Sequence, residues 1–93
     1  MVVPKKFKIF GETIKVKRIL KIDSKHSWGE YDESKNTIKI KKTLNKEQQE
    51  QTYCHEVVHC MLHNLGYEKL NNDEVFIDRM AKALHQILTT SEE

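Results

Sequence analysis

The sequence predicts an α+β fold, a small antiparallel or mixed sheet from the N-terminal half packed with two C-terminal helices, and three observations predict it. Apolar and polar residues mostly alternate between Lys6 and Lys42, which is the strand period. From Asn45 onward apolar residues recur every three or four positions, which is the helix period. A length of 93 residues is too short for two cores, so the halves must pack on each other as one domain spanning residues 1–93.

In chain order, Phe7 and Ile9 mark a first strand, and Ile14 and Val16 a second, with Ile19, Leu20 and Ile22 beyond it. Gly11 stands where the chain turns back between them. Lys21 to Ser27 is a mostly polar connection. A second hairpin follows, from Trp28–Tyr31 through the polar run Asp32 to Asn36 into Thr37–Lys41. Cys54, Val57, Val58, Met61 and Leu65 then trace one long helix, with Asn45 as N-cap, Gln48 completing a capping box and Gly66 as the terminating glycine. After Tyr67–Leu70, the polar Asn71-Asn72-Asp73 precedes a second helix carrying Phe76, Ile77, Met80, Leu84, Ile87 and Leu88, and Thr89 to Glu93 reads as a polar tail.

Composition narrows the class. A hydrophobic fraction of 38% and a charged fraction of 32% describe a globular chain, not a disordered one. No apolar run approaches the roughly 20 residues of a membrane span, and the first residues hold no apolar stretch of leader length, so the expected location is the cytoplasm with no membrane partner. Cys54 and Cys60 belong to no CxxC pair and, six apart on one helix, point to different faces. The net charge of +2 conceals a division: residues 1–46 carry 12 Lys and one Arg against five acids, or +8, whereas residues 47–93 come to −6. Alternation places the lysines on the solvated face of the sheet, a surface that also suits nucleic acid or an acidic protein.

The chemistry is concentrated in His55-Glu56-Val57-Val58-His59, an HExxH pattern within the first helix. Residues four apart lie about 40° apart around a helix and one turn along it, so both imidazoles reach one Zn²⁺ from the same side. Glu56, rotated about 100° from His55, sits beside the ion as a base for its water. His63 extends the spacing, but it lies about 12 Å along the axis from His55, too far for three histidines of a straight helix to share an ion whose bonds are about 2 Å. The third ligand is therefore expected on the second helix, where Glu74 and Asp78 lie one turn apart. With Asn71 as N-cap, Glu74 would also fit a capping box. His26 and His85 have no partner in sequence and read as structural or surface residues.

These residues resemble the minimal single-domain HExxH zinc metallopeptidases of phages and prophages, related to the ImmA/IrrE group and gluzincin-like. The resemblance rests on Phe7–Gly11 with Ile14–Val16, on Gly29–Asp32 and Asn36–Ile40, on Thr52–Leu62 and on Asp73–Leu88. It implies a minimal zincin-like fold, zinc held by His55, His59 and Glu74, and Glu56 as the catalytic residue that activates water. It also implies a protein or peptide substrate. Tyr31 and Tyr67 are the phenols on offer for the oxyanion. The stretch His59–Glu68 is also similar to the YbeY-type endoribonuclease motif, although Lys69 stands where that motif has its third histidine. A third reading, a binding module whose zinc only fastens two helices, would require a fourth protein ligand that the sequence does not readily offer.

Overall fold

The computed structural model describes residues 1–22 and 27–92, so His26 and most of the connection before Ser27 lie outside the described residues. Strands β1 (Lys6–Ile9) and β2 (Glu12–Ile19) form the first hairpin. Its two turn residues, Phe10 and Gly11, both have positive φ, 49° and 79°, the turn conformation whose twist matches that of paired strands. Strands β3 (Gly29–Asp32) and β4 (Thr37–Lys41) form the second hairpin through a 3₁₀ turn over Glu33–Lys35.

The sheet is mixed. Its order is β1-β2-β4-β3, because β4 enters between β2 and β3, parallel to β2 and antiparallel to β3. This insertion leaves β3 as an edge strand. Ile14, Val16, Ile38 and Ile40 point to the inner face, where they are buried.

Helix α1 (Lys46–Leu65) lies between the sheet and helix α3 (Glu74–Thr90). The expected capping box is present, with the Gln48 amide donating to Asn45 Oδ1 at 2.8 Å and the Asn45 amide to Gln48 Oε1 at 3.1 Å. Gly66 closes the helix at φ 80°. Cys60 packs with the sheet residues and Cys54 with Val58, Leu62, Ile77 and Ala81 on the α3 side, so the two free thiols do face different ways.

Three local readings change. A short helix, α2 (Glu68–Asn71), occupies the segment between the two long ones. The N-cap of α3 is Asp73, whose carboxylate accepts from the Phe76 amide at 3.1 Å, and not Asn71. Helix α3 also continues through Thr90, so Thr89 belongs to it and not to a tail; the Thr89 hydroxyl donates back to the His85 carbonyl at 2.8 Å. Among the described residues, no helix is long and apolar enough to cross a membrane.

Candidate metal centre

The first turn of α3 brings Glu74 against the middle of α1. Because Asp73 caps the helix, Glu74 is its first residue, and its carboxylate is free of the capping box that Asn71 would have imposed. Glu74 Oε2 lies 3.6 Å from His55 Nε2, and Oε1 lies 3.6 Å from His59 Nε2. The imidazole rings of His55 and His59 stand 5.0 Å apart between centroids. One donor atom from each of the three residues falls within 4.8 Å of the others.

That spacing fits a metal ion. Two ligands on a tetrahedral ion with bonds of about 2.0–2.1 Å are about 3.3 Å apart, close to the 3.6 Å that separates Glu74 from each imidazole. Two neutral imidazoles and one carboxylate are also the donor chemistry of a catalytic zinc site, which keeps its fourth position open. His59 is aimed by a further contact: its Nδ1 lies 2.6 Å from Asn71 Oδ1. An amide oxygen only accepts, so Nδ1 donates to it and Nε2 is the nitrogen turned toward Glu74.

Glu56 occupies the adjacent position on α1 and is 6% exposed. Burial, followed by the negative charges of Glu74 and Glu30, pushes its carboxyl up to about 8, while a hydrogen bond from the Tyr31 backbone acts the other way. Burial also holds His55 below the ordinary imidazole value, assisted by His59 and opposed by Glu74 and Asp78. The histidine is thereby kept neutral, as a ligand must be.

The triad opens into a cleft of about 440 Å³ walled by Gly29, Glu30 and Tyr31 of β3. A second cavity of about 270 Å³, bounded by Trp28, Gln51, Thr52 and Asp78, shares His55 and Glu56 with it. Gly29 is what lets β3 approach α1 so closely. A Cβ at this position would lie 2.5 Å from Thr52 Cγ2 and 2.8 Å from the Lys39 carbonyl oxygen, and any side chain would drive strand and helix apart.

The other sequence candidates lie elsewhere. Asp78 is exposed and pairs with Lys82 at 3.0 Å, outside the donor cluster. His63 Nδ1 lies 2.9 Å from Glu33 Oε2 and 3.5 Å from Glu68 Oε1, and is likewise outside it. His85 is a structural residue, its Nε2 3.0 Å from Glu50 Oε1. The Tyr31 hydroxyl accepts from Asn64 Nδ2 at 3.4 Å and so is turned toward α1, while Tyr67 is exposed at the start of α2. Asn71 and Gly29 are site residues that spacing did not reveal. No family model, curated protein or solved structure matches the chain.

Proposed function

We propose that this chain is a zinc-dependent metallopeptidase in which His55, His59 and Glu74 hold the ion and Glu56 carries the proton. The observation that carries the reading is the convergence of those three donors beside a buried carboxyl. Zinc bound there would supply Lewis acidity toward a carbonyl and toward a water, with one coordination position left for them.

The chain's own residues account for the rest. In the metal-free chain the Glu56 carboxyl rests at about 8, and a nearby cation lowers such a value toward neutrality. A carboxylate poised near the working pH both takes a proton from water and returns it to the departing amine, as general base and then general acid. The edge strand β3 borders the cleft, which suits an extended peptide laid along it as an added strand. The converging donors are those of the peptidase register, since His63, which the nuclease register needs, faces Glu33 and Glu68. Among the described residues three protein donors, not four, come together, which favours an open catalytic ion over a purely structural one.

The test compares wild type and Glu56→Gln, both loaded with zinc, on a mixed peptide library and on structured RNA. Cleavage of peptides by wild type, lost in Glu56→Gln with zinc content unchanged, is the expected result. Zinc-bound wild type that cleaves neither substrate would leave the binding module as the better account, and RNA cleavage without peptide cleavage would favour the nuclease.

A further inference from the structure

The solvent face of the sheet carries an arrangement that the metal centre does not use. Strand parity and register place Lys6 and Lys8 of β1, Lys15 and Lys17 of β2, and Lys39 and Lys41 of β4 on the face opposite the buried isoleucines. Lys6 sits directly across from Lys15, and Lys17 directly across from Lys39. Like charges opposite one another destabilise a sheet, so folding does not account for the Lys6–Lys15 pairing. Only Lys39 is neutralised, by Glu30 at 3.2 Å; among the described residues, no acid lies within ion-pair distance of the other five. Arg18, by contrast, points to the inner face, where its Nε donates to Gln49 of α1 at 2.7 Å.

We infer that this face docks the phosphate backbone of a nucleic acid. Lysines on one face of a sheet repeat about every 6.6 Å along a strand and about 4.8 Å between strands, giving a regular array of cations suited to a regular polyanion. A protein partner would want an apolar or aromatic centre, and lysine is depleted at such centres; among the described residues of the four strands, the one large apolar side chain on this face is the half-buried Ile19. A membrane surface would want apolar side chains that insert within the array; the exposed Phe10, Leu20 and Trp28 lie beyond the strand ends and not among the lysines. Lysine is a hydrated point charge without the planar fork of arginine, so the binding is expected to ignore base sequence. The lysine array and the donor cluster lie on opposite sides of the sheet, with α1 against the inner face. Nucleic acid held there is therefore not presented to the metal centre.

Fluorescence anisotropy with a labelled DNA duplex of about 20 base pairs, a second duplex of scrambled sequence and the matching RNA strand tests this, at about 50 and about 200 mM salt. Binding that is indifferent to sequence and falls tenfold or more between the two salt concentrations is expected. Lys15→Gln/Lys17→Gln, which alters only exposed side chains, should weaken binding about tenfold and reduce the slope of log affinity against log salt by about two. Lys6→Gln/Lys8→Gln on the neighbouring strand should act in the same direction, with circular dichroism verifying the fold of both variants. Absence of binding at low salt overturns the inference, as does binding that both double variants retain with an unchanged slope. Binding confined to phosphatidylserine vesicles or to polyglutamate also overturns it, in favour of a membrane or an acidic protein.

Discussion

Asn71 shows how one side chain sets the chemistry of another. Its amide oxygen accepts from His59 Nδ1, 2.6 Å away, and so leaves the opposite nitrogen to a metal. Asn71→Ala should weaken zinc binding about 10- to 100-fold while leaving helix content unchanged, as measured by competition with a zinc indicator. The HExxH residues are legible in the sequence because helix geometry alone fixes the relation of His55, Glu56 and His59. Asn71 is not legible, since its role depends on where α2 carries it, twelve positions from His59 in sequence. Glu56 supports a second prediction, in the metal-free protein. A buried carboxyl raised to about 8 favours the fold below the ordinary carboxylate range and withdraws that contribution as pH rises through the folded-state value. With a chelator present, wild type and Glu56→Gln should melt at similar temperatures near pH 4, where the glutamate is largely neutral in both the folded and the unfolded chain. Near pH 9 the glutamine variant should be the more stable, because wild type must then bury an anion.

Among the elements, α1 binds the molecule together, with the sheet on one side and α3 on the other. Much of this arrangement was legible. The capping box at Asn45, the glycine at 66 and the change of apolar period all depend on neighbours in sequence, and all appear where expected. The insertion of β4 between β2 and β3 was not legible, because strand order depends on contacts between distant segments. Nor was the exposure of Ile87 and Leu88, since α1 covers α3 chiefly at Ile77 and Ala81. The far half of α3 is held instead by a polar contact between His85 and Glu50, whose carboxylate is 8% exposed. The His85 hydrogen bond holds Glu50 below the usual carboxylate range against the opposing effect of burial, with smaller contributions from the Met1 amino group and Lys46. A lowered carboxylate contributes stability above its unfolded value and loses it as pH falls through the folded one. Glu50→Gln should therefore cost roughly 1–3 kcal/mol near pH 7 by urea unfolding, and the difference from wild type should close below about pH 4.

Over the whole molecule, positive charge collects on the sheet and negative charge on the helices, and the donor cluster lies where the two helices meet. Placing His55 and His59 on α1 and Glu74 on α3 means that an ion there joins two elements that otherwise meet through a modest apolar contact. Metal affinity then becomes folding stability, because the unfolded chain has no such site. Zinc at about 100 times its dissociation constant should stabilise the fold by about 2.7 kcal/mol, which for a domain of this size raises the melting temperature by on the order of 10–20 °C over the chelator-treated protein. The increment should disappear in His55→Ala, where the ion has lost one of its donors, whatever the cleavage assays show. It should also fade as pH falls through the histidine range, because protons compete for both imidazoles. Burial of His55 displaces its part of that loss to lower pH. A zinc-dependent increment that survives in His55→Ala, or that grows as the solution is acidified, would place the ion somewhere other than between α1 and α3.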